Sequence, residues 1–156
     1  MYTQKQAFTL VEILVVLALF ASISLLGVQS FMSLRDARTL EKDVSNVLAL
    51  LSRARTQTVN SRYNTFYSVY ATSTFVALIE GDTYISDTDS NEVYTLSQAV
   101  SLSDIALAGG GNTIVFNRLT GGTDTFGTLT FSFITSSAST TTAIRINGTG
   151  TAEHNE

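Results

Sequence analysis

The stretch that decides the fold reads KQAFTLVEILVVLALFASISLLGV and occupies residues 5–28. It is apolar over the length of a helix and carries a single acid, Glu12. Residues 8–28 would span roughly 31 Å as a helix at about 1.5 Å per residue, and a bilayer hydrocarbon core is about 30 Å thick. The stretch therefore predicts a transmembrane helix with one charge to be explained.

Glu12 is unfavourable in such a helix, because inserting an ionised side chain at the helix centre into a membrane costs about 2.5 to 3.5 kcal/mol. A cationic partner is therefore expected. The preceding residues 1–7 are polar, carry Lys5 and end in the small residue Ala7. Cleavage after Ala7 would give Phe8 a free amine four residues before Glu12, close to the neighbour spacing of a helix face. The amine of an adjoining subunit could pair with Glu12 instead.

The segment from Lys5 to Glu12 resembles the class III leader and processing site of type IV prepilins and type II secretion pseudopilins. The resemblance implies that a prepilin peptidase cuts before Phe8 and methylates its amine, and that Glu12 guides assembly by contacting a neighbour's N-terminus. It also implies four partners: other pilins or pseudopilins, the peptidase, an inner-membrane assembly platform and membrane lipid. Ala7 departs from the family, which usually has Gly there. The alternative is an ordinary signal anchor in which Glu12 has no special role.

Composition limits the remainder of the chain. Its 156 residues suffice for one modest domain beyond the anchor, and only 14% of them are charged. The chain has no cysteine, which excludes a disulfide framework and a thiolate metal site. It also has no proline, so any bend in the anchor would have to use Gly27.

The flanking charges do not decide the orientation of the anchor. Lys5 precedes the apolar run, whereas Arg35, Arg38 and Lys42 follow it, and basic residues normally mark the cytoplasmic side. The family resemblance favours a cytoplasmic N-terminus in the inner membrane and a C-terminal domain that is periplasmic or extracellular.

Residues 29–61 keep a helical period and predict an amphipathic spine that continues the anchor, with the whole helix covering about residues 9–59. A solvated outer face is expected to account for most of the charged residues between the apolar positions, a set that includes Asp43. Five apolar positions are expected to pack the helix on the following domain: Leu40, Val44, Val47, Leu51 and Ala54.

The end of this spine has a second resemblance. The pattern Leu-x-x-Ala-Arg-x-x-x-Val, formed here by Leu51, Ala54, Arg55 and Val59, resembles the H-class minor pseudopilin of type II secretion and the T-class minor fimbrial pilin. It implies close helix-to-sheet packing at Ala54 and bonds from Arg55 to carbonyls at the helix end. Residues 114–122 and 144–150 are similar to the C-terminal half of the H-class domain.

After Ser61 the apolar period changes to two, which is typical of strands. Strands are expected at residues 65–71, 74–80, 84–86, 93–96, 100–107, 113–116, 127–135 and 142–147. The predicted fold class is α+β, with a long N-terminal transmembrane-plus-spine α-helix packed on an antiparallel β-sheet domain, as in pilins. The predicted segments are a leader 1–7, an assembly helix 8–28, the spine 29–61 and an exported β domain 62–156.

No chemical site emerges from the polar motifs. Asp87, Asp89 and Glu92 are calcium candidates, but Glu92 and Gln98 replace the Gly and Glu that an EF-hand needs, which favours a solvated acidic turn. His154 lies in a tail expected to be disordered, so no catalytic set is available and the chain is predicted to be neither an enzyme nor cofactor-dependent. Residues 109–111 form a flexible glycine turn, and for the sequon at residues 147–149 a tight turn is favoured over glycosylation.

The charge balance opposes nucleic-acid binding. From residue 63 onward the chain has two basic and nine acidic residues, and a domain this acidic is repelled by phosphate. Arg53, Arg55 and Arg62 could still form a local basic edge. The predicted function is a minor pilin or pseudopilin of a type II secretion pseudopilus or type IV pilus, near its tip. The alternative is a DNA-capturing minor pilin for natural transformation.

Overall fold

The computed structural model describes residues 9–61, 65–86, 88–134 and 141–155, with the backbone alone for residues 25–34. The predicted leader, Ala7 and Phe8 lie outside the described residues. One helix, α1 (Leu10–Asn60), precedes eight strands. These strands are β1 (Tyr67–Ala71), β2 (Phe75–Glu80), β3 (Glu92–Thr95), β4 (Val100–Leu107), β5 (Thr113–Val115), β6 (Gly127–Phe133), β7 (Thr141–Ile146) and β8 (Ala152–Asn155).

Helix α1 contains 51 residues and runs through Gly27 without interruption. The hydroxyls of Ser22 and Ser24 donate to the carbonyls of Ala18 and Phe20, at 2.8 Å each. These bonds to the preceding turn satisfy the two serines inside an otherwise apolar segment. The backbone of this stretch can therefore stay helical although serine disfavours helix interiors.

Two compact units divide the chain, Met1–Ala37 and Arg38–Glu156. In the described residues of both, no helix is at once long enough and apolar enough to cross a membrane. The predicted span 8–28 includes Phe8 and the side chains of residues 25–28, which fall outside the description. It stays a prediction.

The second unit contains two antiparallel sheets of four strands, in the orders β3-β2-β1-β5 and β4-β6-β7-β8. In the first sheet Val69 lies opposite both Leu78 and Ile114. In the second, Leu129 lies opposite Ile144, and a bulge separates Leu102 from Asp104 on β4. The α+β class is thus confirmed, and the β part consists of two sheets.

The core joins both sheets to the second half of α1. The five positions predicted to pack the helix are all buried, at 3% exposure or less: Leu40, Val44, Val47, Leu51 and Ala54. They share one hydrophobic cluster with Val69 and Ile114 of the first sheet and Phe131 and Ile144 of the second. Burying each large side chain contributes about 1.5 to 3 kcal/mol, so this stripe is a principal source of the domain's stability.

The structure differs from the predicted strands at two places. Residues 84–86 are not a strand, because the Tyr84 ring instead stacks on Tyr70 with centroids 4.7 Å apart. The tail is not disordered either, since β8 pairs with β7 and places His154 opposite Ile144. Residues 147–150 form the turn between them, closed by a 2.8 Å bond from the N–H of Gly150 to the carbonyl of Asn147.

Candidate functional sites

The first described turns of α1 expose apolar side chains on every face. All residues from 10 to 24 are exposed, and Leu10 is the most open of the large ones, at 76%. A helix that is apolar all round is normally buried in a larger assembly or in lipid. This surface therefore needs a partner that the single chain does not supply.

Glu12 occupies the third position of α1, next to its N-terminal cap. Its backbone N–H donates to Thr9 Oγ1 at 3.3 Å, and the N–H of Ile13 donates to the Thr9 carbonyl at the same distance. The spacing Thr-x-x-Glu is that of a capping box, and the helix dipole favours a carboxylate at this end. This local role is absent from the sequence-based expectations for Glu12, although the spacing from Thr9 to Glu12 could have revealed it.

A buried acid fastens the second half of α1 to the β domain. Asp43 is 0% exposed. Its Oδ1 accepts bonds from the Tyr94 hydroxyl at 2.7 Å and the Ser97 hydroxyl at 3.0 Å, and its Oδ2 accepts the Ser97 backbone N–H at 2.9 Å. For Asp43 the expectation of a solvated outer face was wrong. Position 43 lies three residues after Leu40 and four before Val47, so the helical spacing itself places it on the packed face.

Tyr94 links this acid to a second side chain of the helix. Its hydroxyl accepts a 2.8 Å bond from the Asn46 amide while donating to Asp43. Burial raises the pKa of the Tyr94 hydroxyl above 10.0, and the bond that it donates to Asp43 raises the pKa further. The neutral phenol is therefore the form that holds β3 against α1.

At the end of α1, the backbones of the β5–β6 loop and the β7–β8 turn approach each other too closely for a side chain between them, and side chains of the helix pack against them. Arg55 Nε donates to the Gly121 carbonyl at 3.0 Å, so the carbonyl it bonds belongs to the β5–β6 loop rather than to the helix end. Gly121 and Gly150 have φ of 66° and 76°. A Cβ on Gly150 would lie 1.8 Å from the Gly121 oxygen, and one on Gly121 would lie 2.9 Å from Val59 Cγ2. Only glycine fits at either position.

Thr58 joins the same end of the helix to the first sheet. Its buried hydroxyl donates to the carbonyl of Ala54 at 2.8 Å and accepts the backbone N–H of Tyr67 at 2.9 Å. One hydroxyl thus joins the last turn of α1 to the first residue of β1. This fixes where the first sheet starts relative to the helix.

The calcium candidates do not form a cluster in the structure. Asp87 lies outside the described residues, and Asp89 is exposed. Glu92 is instead engaged by Arg53, at 2.7 Å between Nη1 and Oε2. No group of three potential metal ligands occurs in the part of the chain that the structure covers.

The arginines considered as a basic edge for DNA, Arg53, Arg55 and Arg62, mostly bond to other groups of the protein. Arg53 pairs with Glu92, and Arg55 is half-buried against Gly121. Arg62 lies outside the described residues. Two of the three cations are thus bound to the protein's own groups, which leaves little free positive charge for a phosphate backbone.

One long helix that is largely apolar and exposed over residues 10–24, followed by an antiparallel β domain, defines a pilin-like subunit. The prokaryotic N-terminal methylation motif matches residues 3–28 of the sequence, and the family described as type II transport protein GspH matches residues 43–150. The second match covers more than half of the chain, which therefore belongs to the GspH family of type II transport proteins.

The predicted resemblance is thereby confirmed. The chain is a type II secretion pseudopilin that carries the prokaryotic N-terminal methylation motif, and its family consists of structural subunits that assemble with other pseudopilins. Comparison with curated proteins and with solved structures gave no match.

Proposed function

We propose that the chain is a minor pseudopilin that is trimmed after Ala7, methylated on Phe8 and incorporated near the tip of a type II secretion pseudopilus. In this proposal residues 8–28 cross the inner membrane with the N-terminus in the cytoplasm. The β domain lies on the far side of that membrane. The partners are other pseudopilins, the prepilin peptidase, the membrane assembly platform and lipid.

The observation that carries this proposal is the exposed apolar start of α1 with a single acid in it. Side chains such as Leu10, Val11 and Leu14 face solvent in the isolated chain. Their exposure is unfavourable by roughly 25 cal/mol for each Å² of apolar surface. Lateral packing of such helices in lipid and then in a filament core removes that surface from water.

Glu12 determines the axial position at which neighbouring helices pack. A carboxylate among stacked apolar helices is costly unless a cation meets it, and the amine of a processed Phe8 on an adjoining subunit is a cation of fixed position. Axial shifts that separate the two charges leave both unpaired. The pair therefore selects one axial position for each incoming subunit.

The network at Asp43 and the glycine junction support the same function in the second unit. They hold residues 40–58 of α1 against both sheets through buried polar bonds and a close backbone contact. A domain fastened in this way moves as one body with that part of its helix. Force applied to the helix is then transmitted to the domain.

The test replaces Glu12 in the full chain by alanine and, separately, by glutamine. Glutamine can still complete a capping box with Thr9, whereas alanine cannot, and both variants lack the charge. We expect both to insert and fold normally, yet to be at least about tenfold depleted from purified pseudopili, a loss worth about 1.4 kcal/mol. Incorporation of Glu12→Gln at the normal level, with only Glu12→Ala depleted, would assign Glu12 to capping alone.

A further inference from the structure

The first sheet ends on one side at β3, and this edge is open. β3 pairs with β2 through a regular register in which Val76 lies opposite Tyr94 and Ala77 opposite Val93. No described strand pairs with the other side of β3. A free edge presents a row of backbone N–H and C=O groups to any extended chain that approaches it.

The three other sheet edges are protected. On β5, Val115 donates its N–H to Thr125 Oγ1 at 2.9 Å and accepts Thr123 Oγ1 on its carbonyl at 2.7 Å. The β4 edge is interrupted by its bulge next to the exposed Asp104. The β8 edge carries exposed Glu153 and His154 on neighbouring positions, hence on opposite faces. Covers, bulges and charges of this kind are the usual devices that stop a strand from being added.

β3 lacks these devices. Its register with β2 has no bulge, and the chain contains no proline. The one charge on the strand, Glu92, is turned toward the helix and neutralised by Arg53 at 2.7 Å. Among the described residues the edge is therefore unpaired, and its one acid already has a counter-ion.

Surface that is at least partly apolar lies on both sides of this edge. A cleft of about 210 Å³ opens between α1 and β3, and its lining combines Ala49, Leu50 and Tyr94 with Asn46 and the Arg53–Glu92 ion pair. On the outer face of the sheet, Val93 is 49% exposed and lies in one row with Ala77 and Tyr70. Tyr70, Phe75 and Tyr84 form a half-buried aromatic cluster there, beside Ile85, which is 65% exposed.

We propose that β3 accepts an extended segment of a neighbouring, different pseudopilin as an added strand of the first sheet. Successive residues of a strand point to opposite faces. The added segment would place alternate apolar side chains in the cleft beside Leu50 and the others against Val93 and the aromatic cluster. Backbone bonds to β3 provide affinity, the outer face selects apolar side chains at alternate positions, and the cleft accepts an apolar side chain beside Leu50 within reach of the Arg53–Glu92 pair.

A second copy of this chain fits the site less well. Its β5 edge is covered and its β4 edge is bulged. Its β8 strand would bring Glu153 to one apolar face and His154 to the other, each without a partner of its own. Among the described strands of a second copy, only β3 itself remains as a free edge. Pairing two β3 strands would occupy the site on both copies.

The test uses the absence of cysteine, which makes any introduced thiol unique. Full-length Val93→Cys, labelled with a benzophenone maleimide, is photo-crosslinked in assembled pseudopili, and the joined peptides are sequenced. Ile134→Cys is the matched control, because Ile134 is 60% exposed and follows β6 of the other sheet. We expect Val93→Cys to join a peptide of a different pseudopilin at least about tenfold more efficiently than the control.

Two further measurements distinguish the addition of a strand to β3 from the simple proximity of another subunit. Amide hydrogen exchange should slow by about tenfold or more at alternate β3 residues on assembly, but not on β4 or β8. Val93→Lys places a charge on the receiving surface and should deplete the subunit from pseudopili, whereas Ile134→Lys should not. Both lysine variants replace exposed side chains, so their thermal unfolding should match the parent protein.

The inference rests on the proposed function, and the outcomes distinguish the two. Unchanged β3 exchange on assembly, crosslinks from Val93→Cys mainly to a second copy's β3, or normal incorporation of Val93→Lys would each overturn it. If Val93→Lys incorporates normally while Glu12→Gln does not, the proposal of an added strand is wrong and the proposed function stands. If Glu12→Gln and Val93→Lys both incorporate normally, the proposed function and the added strand both fail.

Discussion

At the scale of single residues, Asp43 shows how a polar group can specify where a helix sits. An apolar stripe such as the one on α1 tolerates small shifts along its axis, since hydrophobic burial has no direction. A fully buried carboxylate does not, because its oxygens must meet Tyr94 and Ser97 at hydrogen-bond distance. Leaving a charged group without its donors costs about 1.5 to 3 kcal/mol per bond, enough to disfavour displaced arrangements.

Replacing Tyr94 by phenylalanine tests this network. The variant removes a donor from Asp43 and an acceptor from Asn46, so we expect the unfolding free energy to fall by about 2 kcal/mol at pH 7. The raised pKa of Tyr94 means that the parent protein keeps this stabilisation below pH 10.0 and loses it as pH rises through the folded-state pKa. The difference between the two proteins should therefore shrink above pH 10.0.

The measurement is chemical unfolding of the two proteins at pH 7 and at a series of alkaline pH values. Tyr84→Phe is the control, because it leaves the Asp43 bonds intact and should change stability at pH 7 by less than about 0.5 kcal/mol. A difference between Tyr94→Phe and the parent that is constant with pH would contradict the assigned role of the hydroxyl.

At the scale of elements, the glycine junction fixes how the β5–β6 loop and the β7–β8 turn pack on the end of α1. The contact is between backbones, with Gly150 against the carbonyl of Gly121 and Arg55 bonding that same carbonyl. Such a contact depends on the lack of side chains rather than on their attraction. It therefore has little tolerance for substitution.

A matched pair of glycines separates this contact from backbone strain. Gly150 and Gly110 have φ of 76° and 75°, but a Cβ on Gly110 would meet nothing within 4 Å. Alanine at Gly110 should cost about 1 kcal/mol through its left-handed conformation alone. Alanine at Gly150 should cost at least about 3 kcal/mol, because its Cβ overlaps the Gly121 oxygen. Thermal unfolding of both variants measures this, and equal losses would show that the close contact is unimportant.

The elements also show what the sequence could and could not reveal. The packed face from Leu40 to Ala54 follows a helical period, which is a local signal, and the strands up to β7 either alternate with a period of two or, like β2, form a short continuous apolar run. β8 gives no such signal, since Glu153 and His154 are polar on both faces and the strand is recognised only by its pairing with β7. The contact of Gly150 with Gly121 is likewise non-local, and no spacing in the sequence encodes it.

At the scale of the whole molecule, the proposed function makes assembly depend on processing of the N-terminus. Protein taken from native membranes should begin at Phe8, and its intact mass should fit a methylated amine. Ala7→Gly should be processed in the same way, whereas the bulky Ala7→Phe should keep the leader. Mass spectrometry of the three proteins decides this, and a native protein that still begins at Met1 would contradict the proposed function.

The contact between Gly150 and Gly121 also orders events during biosynthesis. Ribosomes deliver the helix first, so Arg55 emerges long before the loop carbonyl that it bonds, and the turn that seats against that carbonyl emerges later still. The contact at the end of α1 thus forms only after residue 150 has been synthesised. A nascent subunit stalled before residue 150 would lack the contact between Gly150 and Gly121. Quality-control proteases would then distinguish it from a subunit that has formed this contact.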